Sequence, residues 1–342
     1  MRYFAGSTFG GAGLRAEDGD WTILGDEDCE ALLVWRRTDS FRVPRVLWFR
    51  GSRWTGDHQF RALSIFFDSL MGLEPVRKVH LSLYSGPTQD SPGLLSCLES
   101  IRASGCQELH CRGGRCPGIQ TSLGGRFGSC TSSLRVLCFD SPLLFTHRTV
   151  SFTVTALHNA SLQRLTLTNT ALTPGEWTVL LTSLKLPQLT ALEVEAKCPI
   201  PTLISFLLKH QVQELRISPD KCHVTSGVKL RPRPRALIPS LKALDAPAEV
   251  IITLMRFMDV PTPFPKLGIR LRSLRDQHLI FPVLMDCTEK FPELEELRVT
   301  LEDENGDEVV YAVPEDERIC SAKSVVFHLL KPENNPDHIV SR

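Results

Sequence analysis

The sequence has no surplus of charge of either sign. Lysine plus arginine and aspartate plus glutamate each number 39 among the 342 residues, so the formal net charge is zero. A dedicated nucleic-acid binder, or a protein that docks on anionic membranes, usually carries a clear positive excess. We therefore expect neither nucleic acid nor membrane among its partners.

Long apolar stretches are missing as well. The sequence has no run of about 18 apolar residues, the length that spans a bilayer. The Gly-rich segment Met1–Asp20 has no apolar core of the kind that a secretory signal needs. The 11 cysteines are odd in number and scattered, unlike a secreted disulfide framework. Together these absences favour an intracellular location, cytoplasmic or nuclear.

Common catalytic signatures are also absent. The sequence has no G-x-S-x-G, no H-E-x-x-H and no Gly-rich loop ending in Lys-Ser or Lys-Thr. Gly10, Gly11 and Gly13 have neither a strand pattern before them nor a phosphate-binding helix after them. We therefore predict a protein that is not an enzyme and uses no cofactor.

What the sequence does have is one recurring phrase, Φ-Pro-x-Leu-x-x-Leu-x-Φ, where Φ is apolar. It occurs at Leu186–Val194, Ile238–Ala246 and Phe291–Val299, and a fourth copy from Phe264 is one residue short. Without the proline, apolar residues at positions 1, 4 and 6 recur every 23 to 30 residues, with one interval of 53 across the short copy. The triplets are Val76/Val79/Leu81, Cys106/Leu109/Cys111, Leu134/Leu137/Phe139, Leu162/Leu165/Leu167, Leu189/Leu192/Val194, Val212/Leu215/Ile217, Leu241/Leu244/Ala246 and Leu294/Leu297/Val299. Val43/Val46/Trp48 is a candidate first unit and Ala322–Phe327 a candidate last unit. Such periodicity predicts an array of short strands.

The segments between the phrases have helical patterns. Thr173, Pro174 and Glu176 form the start signal of a helix, with a capping hydroxyl, a proline in the first turn and a glutamate three residues on. The predicted helices are Pro92–Ala103, Thr173–Lys185, Ile200–His210, Ala248–Met258 and Asp276–Phe291. One unit is therefore expected to be a strand, a turn and a helix.

This pattern resembles the leucine-rich repeat. The run Leu162-x-x-Leu165-x-Leu167-x-x-Thr170-x-Leu172 follows the family phrase, with Thr where Asn or Cys is usual. The resemblance implies a curved α/β solenoid, with parallel strands on its concave face and helices on its convex face. It covers residues 43–327 as about 9 to 11 units, after an N-terminal cap with a Gly-rich tip at 1–42. A hairpin is predicted at 297–313 around Asn305-Gly306, and a polar tail at 328–342.

The irregular units also resemble the repeat region of fungal F-box/LRR-type proteins. In that family the repeats recognise a substrate, and an F-box docks the chain on a cullin ubiquitin ligase. Residues 1–60 have no recognisable F-box phrase, so an adaptor of such a ligase is an expected partner only if an unrecognised F-box is present. The resemblance implies a substrate-recognition or scaffold protein that binds other proteins. A degenerate repeat protein without a dedicated partner is the alternative.

The candidate binding residues are those at positions 3 and 5 of each strand, which face away from the buried positions 4 and 6. A surface of mixed sign suits a protein partner better than a phosphate backbone. The candidates are Lys78, His80, Glu108, His110, Arg164, Thr166, Glu193, Glu214, Arg216, Asp245, Glu296 and Arg298.

Two other clusters have a competing interpretation. Cys106, Cys111 and Cys116, with His110 and Cys130 nearby, have donors for a zinc or thiol enzyme site. These three cysteines also occupy apolar positions 1, 6 and 11, which favours core packing over metal. The basic run Lys229–Arg235 fits nuclear import or an anionic partner, and equally a solvated loop.

Overall fold

The computed structural model describes eleven stretches of the chain and groups the chain into two units. The described residues are 15–17, 20–23, 26–38, 41–50, 56–83, 91–114, 132–218, 240–257, 265–271, 296–302 and 308–310. The first unit runs from Met1 to Leu189 and the second from Thr190 to Arg342.

The first unit alternates strands and helices. Its strands are β1 (Arg15–Glu17), β2 (Asp20–Ile23), β3 (Val46–Arg50), β4 (Lys78–Leu83), β5 (Glu108–Gly113), β6 (Val136–Asp140) and β7 (Arg164–Thr168). Its helices are α1 (Asp26–Arg36), α2 (Asp57–Asp68), α3 (Pro92–Ala103), α4 (Val150–Leu157) and α5 (Pro174–Ser183), with a 3₁₀ helix at Pro142–Phe145. β1 is antiparallel to β2, and β2 through β7 pair in parallel in chain order. Helices α1 to α4 contact one another in the same order.

The second unit repeats this arrangement. Its strands are β8 (Ala191–Glu195), β9 (Glu214–Ser218), β10 (Ala243–Pro247), β11 (Lys266–Leu271), β12 (Glu296–Glu302) and β13 (Glu308–Val310), and its helices are α6 (Ile200–Leu207) and α7 (Ala248–Phe257). Strands β8 to β12 pair in parallel in chain order. β13 is antiparallel to β12, as the Asn305-Gly306 hairpin signal predicts. Both units are thus α/β structures with parallel strands.

The apolar triplets form the cores, as the sequence predicts. Positions 1, 4 and 6 of the seven triplets from Val76 to Ala246 are all at most 2% exposed. The short copy after Phe264 is also a strand of the array, because Leu267 and Ile269 are buried and β11 pairs with both β10 and β12. The interval of 53 residues therefore holds two strands.

The candidate first unit, Val43/Val46/Trp48, is predicted one residue out of register. The sequence pattern places Val46 and Trp48 inward, but the structure buries Leu47 and Phe49, and Val46 and Trp48 face the other side. Register confirms the shift, since Val46 aligns with Lys78 and Trp48 with His80. Because side chains alternate along a strand, a slip of one residue exchanges the two faces.

A backbone pattern repeats at the start of the strands. The carbonyl oxygen of Arg45 accepts hydrogen bonds from the backbone N–H groups of Arg77 and Lys78. The same double acceptance recurs in the first unit at Arg77, Gln107 and Arg135, and in the second unit at Thr190 and Gln213. Each repeat is thus fixed to the one before it by main-chain atoms, independently of side-chain identity.

Helix starts follow the predicted chemistry. The Thr173 hydroxyl accepts from the N–H of Glu176, whose carboxylate accepts from the N–H of Thr173 at 2.8 Å, which completes a capping box. Trp177 of this helix is fully buried. In the leucine-rich phrase before it, Thr170 is buried and its hydroxyl accepts from the N–H of Leu172. Thr170 therefore satisfies a backbone group at the position where Asn is usual.

Glycine is required where the first turns of α2 and α3 meet. Asp57 accepts hydrogen bonds from the Ser91 hydroxyl at 2.7 Å and from the Gly93 N–H at 2.6 Å. A Cβ on Gly93 would lie 2.4 Å from the Asp57 carbonyl oxygen, which leaves no room for another residue type. The Asp57 carboxylate thus joins the first turns of the two helices by two hydrogen bonds.

Some predicted features lie outside the described residues. They are the Gly-rich tip, the helix Asp276–Phe291, the basic run Lys229–Arg235, Cys116 and Cys130, the last unit Ala322–Phe327 and the tail at 328–342. Among the helices that the structure describes, none is long and apolar enough to cross a membrane.

Candidate functional site: the outer face of the strands

The outer face is defined here as the side of each strand that carries positions 3, 5 and 7. These positions alternate with the buried positions 4 and 6, so their side chains lie on the face opposite the core. Parallel, in-register pairing sets equal positions of neighbouring strands beside each other. The outer face therefore consists of rows of side chains that run across the strands.

In the first unit, the row at position 5 is aromatic. Trp48 on β3 stacks on His80 on β4, with ring centroids 3.5 Å apart and planes within 1°. His80 stacks in turn on His110 of β5 at 4.4 Å and 24°. Cys138 and Thr166 continue the row on β6 and β7. The sequence prediction brought the two histidines together, but it missed the tryptophan because of the one-residue slip in β3.

The two histidines are largely buried, whereas the sequence pattern predicts that their side chains lie on an exposed binding surface. His80 is only 8% exposed, and the His110 side chain is 15% exposed. Nε2 of His80 and both ring nitrogens of His110 are buried and have no hydrogen-bond partner within the described part of the chain. Buried polar atoms normally have a partner. These imidazoles therefore keep hydrogen-bonding capacity at the outer face.

Both imidazoles are held neutral. Burial, together with the nearby His110, Lys78 and Arg112, lowers the pKa of His80 to about 3. Burial, Lys78 and Arg112 lower the pKa of His110 to about 4, although Glu108 opposes the shift. The carboxylate of Glu108 lies 3.7 Å from His110 Nε2, too far for a hydrogen bond. Each ring is therefore an uncharged donor and acceptor at neutral pH.

Cations border this row on both sides. At positions 3 and 7 of β3 to β7 lie four cations and two carboxylates; the cations are Arg50, Lys78, Arg112 and Arg164, and the carboxylates are Glu108 and Asp140. Lys78 and Glu108 are 3.6 Å apart, and both side chains are partly exposed. Asp140 accepts a hydrogen bond from Thr168. Across β3 to β7, the outer face is therefore aromatic at its centre and net positive at its borders.

In the second unit, the corresponding rows hold a chain of ion pairs. Nε of Arg216 on β9 lies 3.4 Å from Glu193 on β8 and 3.7 Å from Asp245 on β10. Ser218 donates a hydrogen bond to Glu193 at 2.6 Å. Arg216 is 46% exposed between its two carboxylates. Three candidate residues from three strands thus form one arrangement of alternating sign.

The network ends in a bidentate pair that the sequence did not predict. Nε and an Nη of Arg270 each donate to one oxygen of Asp245, both at 2.8 Å, and the Arg270 side chain is only 7% exposed. Arg270 is at position 7, outside the two positions considered from sequence. Gly268 makes the reach possible, since a Cβ there would lie 2.9 Å from an Asp245 carboxylate oxygen.

The remaining candidates also occupy outer-face positions of their strands. Glu214 is exposed on β9, where its Cα aligns with Ala191 and Ala243. Arg164 is exposed and Thr166 half-buried on β7. For Glu296 and Arg298 only the backbone is described, with register opposite Lys266 and Gly268.

Two cysteines of the candidate metal site, Cys106 and Cys111, point to the core. Cys106 and Cys111 are fully buried, at positions 1 and 6. Burial raises the pKa of the Cys106 thiol to about 12 and raises the pKa of the Cys111 thiol as well. Cys106 donates to the carbonyl oxygen of Glu108. Thiols of this kind are inert as nucleophiles, and no group of three or more potential metal ligands occurs among the residues described.

Comparison with known proteins returns no relatives: no protein family, curated protein or solved structure matches this chain. The outer face therefore has to be interpreted from its own geometry.

Proposed function

We propose that this chain is a non-catalytic protein-binding module of the leucine-rich-repeat type, which binds its partner through the outer face of its strands. The observation that carries the proposal is the ion-pair network Glu193–Arg216–Asp245–Arg270 of the second unit. Its members come from four neighbouring strands and alternate in sign. A rigid main-chain ladder holds them at fixed spacing.

Such a network suits protein recognition for two reasons. Charges arranged in a fixed pattern select a partner with the complementary pattern and repel others. Arg216 is already held between two carboxylates, so a partner that binds it has less side-chain entropy to overcome. The guanidinium of Arg216 is half-exposed, so a partner can reach it.

The resemblance to F-box/LRR-type proteins extends the proposal to substrate recognition or scaffolding in ubiquitin ligation. Of the family's two activities, only the binding of a substrate by the repeats depends on residues such as these. Docking on a ligase would need an F-box, and recovery of cullin-ligase adaptors would support that part.

The test is affinity purification of the tagged full chain from its native cell, with quantitative mass spectrometry. We expect at least one partner at stoichiometric level with the wild type. The variant Arg216→Glu places three carboxylates together and should reduce recovery about tenfold or more. Arg216→Gln, which removes the charge without adding repulsion, should reduce recovery by a smaller factor.

Lys209→Glu is the matched control, because Lys209 is exposed in the turn after α6 and away from the strands. It makes the same change of charge in the same unit, and recovery should equal that of the wild type. Equal recovery with Arg216→Glu would refute binding at this face. Recovery of no stoichiometric partner by the wild type would instead favour a repeat protein without a dedicated partner.

A further inference from the structure

The outer face of the first unit has a composition that specifies its partner more closely than the second unit does. Its central row is Trp48, His80 and His110, stacked ring on ring. Tryptophan in a packed cluster is the residue type most often found at the energetic centre of a protein interface. The proposed function alone does not say what such a cluster binds.

The buried nitrogens of the row indicate a polar ligand. His80 is more than nine-tenths buried, and its Nε2 has no hydrogen-bond partner among the described residues. Both ring nitrogens of His110 likewise have no hydrogen-bond partner among these residues. A neutral imidazole can donate one N–H to a carboxylate or to a backbone carbonyl. An acidic segment offers acceptors to these atoms, whereas a flat hydrocarbon surface offers none.

The sign of the ligand follows from the bordering charges. Cations outnumber carboxylates on this face, and Arg50 and Arg112 are both exposed at position 7. Glu108 is paired with Lys78, and Asp140 lies beside Arg112 and accepts a hydrogen bond from Thr168. With four cations and two carboxylates at positions 3 and 7 of β3 to β7, the field of these strands is positive, so an anionic ligand is attracted and a cationic one is repelled.

We propose that the outer face of the first unit binds an acidic, extended segment of a partner protein, which lies along the Trp48–His80–His110 row with its carboxylates toward Arg50 and Arg112. This proposal deepens the proposed function and rests on it. A protein segment fits this face better than a nucleic acid does. The row is short, since it holds one tryptophan and two histidines, and only a few cations border it. Five strands about 4.8 Å apart span about 20 Å, which about six extended residues cover.

The test uses a fluorescein-labelled peptide of about ten residues, made of glutamate, serine and two phenylalanines, with binding followed by fluorescence anisotropy at low salt. We expect saturable binding to the full chain, weakening as salt is raised. The double variant Arg50→Glu/Arg112→Glu should weaken binding about tenfold or more. Both arginines are exposed, so these substitutions spare the core.

Trp48→Ala should also weaken binding, by loss of the aromatic surface. Trp48→Phe, which keeps a ring on His80, should retain most of the affinity and so separates loss of contact from loss of folding. Lys209→Glu in the second unit is the control, because Lys209 is exposed in the turn after α6, and it should bind the peptide as the wild type does.

Four results would overturn the inference: no saturable binding of the acidic peptide, equal binding by the Arg50→Glu/Arg112→Glu variant, equal binding of a peptide with lysine in place of glutamate, or tighter binding of an oligouridylate than of the acidic peptide. The two proposals fail separately. If Arg216→Glu abolishes partner recovery while the acidic peptide does not bind, the proposed function stands and only this inference is wrong.

Discussion

The two units use the same backbone for opposite kinds of outer face. In the first unit, neighbouring strands are linked by stacked rings, and the imidazoles are neutral and buried. In the second unit, they are linked by carboxylate–guanidinium pairs that satisfy each other. The first face keeps imidazole nitrogens that no described residue pairs and a positive border, whereas the second links carboxylates and guanidinium groups of alternating sign.

The difference shows what a parallel ladder does to the residues at equivalent positions. Strands in register set the row of one position at the spacing between strands, about 4.8 Å. At that spacing, aromatic rings on neighbouring strands stack, and side chains of opposite charge form pairs. The parallel backbone thus sets equivalent residues of successive strands side by side in a continuous row. The residue types alone decide whether that row is aromatic or ionic.

The largest effect is expected from removing the buried guanidinium of the second unit. Arg270→Ala leaves Asp245 without its bidentate partner, and we expect a loss of about 2–3 kcal/mol, somewhat less than for a fully buried pair because Asp245 is 35% exposed. Urea unfolding followed by far-UV circular dichroism measures the loss. All five tryptophans precede residue 190, so tryptophan fluorescence reports the first unit separately. A loss below about 0.5 kcal/mol would show that the ionic row contributes nothing to stability.

The first unit should instead be sensitive to acid. The folded-state pKa values of His80 and His110 lie near 3 and 4, below the ordinary 6.5, so unfolding takes up protons. Their contribution to stability is full above about pH 6.5 and is lost as the pH falls toward 4. Between pH 7 and pH 5 we expect the first unit to lose about 1–2 kcal/mol, after allowance for solvent screening.

Urea unfolding followed by tryptophan fluorescence at both pH values measures this loss. The double variant His80→Phe/His110→Phe keeps the stacked row and removes both titrating groups, so most of the pH dependence should vanish. The groups that face the histidines from β3 to β6 are Trp48, Arg50, Lys78, Ser82, Glu108, Arg112, Cys138 and Asp140. An unchanged pH dependence in the double variant would place the titrating groups elsewhere.

A smaller effect is expected at Gly268. An alanine Cβ there would lie 2.9 to 3.1 Å from three Asp245 side-chain atoms, so the carboxylate must shift away from Arg270. We expect a loss of about 1 kcal/mol. Gly175→Ala is the control, since a Cβ on Gly175 has no neighbour within 4 Å and alanine favours the helix. That variant should be as stable as the wild type or slightly more stable.

The smallest effect on stability is expected at Arg216. Its pairs with Glu193 and Asp245 are half-exposed, so Arg216→Gln should cost about 0.5 kcal/mol or less, and less still at high salt. The same variant should reduce partner recovery. A cost to stability as large as that of Arg270→Ala would indicate that Arg216 serves the fold and not a partner.

Much of the fold was predictable because apolar spacing constrains it. Triplets such as Leu134/Leu137/Phe139 give both the strand and its inward face, and Thr173 with Glu176 gives the start of α5. The first triplet failed because Val46 and Trp48 are as apolar as Leu47 and Phe49, so hydropathy alone allows two registers. The structure buries Pro44 at position 1, and an apolar proline at that position favours the correct register.

The candidate site was predictable only in part. Positions 3 and 5 gave His80, His110, Glu193, Arg216 and Asp245, which the structure brings together in two clusters. Ser218 and Arg270 were missed because position 7 was not considered, and its outward direction depends on where each strand ends. Gly268 was missed because the absence of a side chain gives no signal until a neighbouring carboxylate reaches across it.

By itself the sequence determined where the strands from Val76 onward lie and which residues of their triplets fill the core, since both follow from the spacing of apolar residues along the chain. It also determined the composition of each outer row. Only the tertiary structure decided which side chains meet, because register across strands sets Trp48 on His80 and Asp245 within reach of Arg270, about 25 to 32 residues apart in sequence. The burial that keeps the two imidazoles neutral likewise comes from neighbours on other strands.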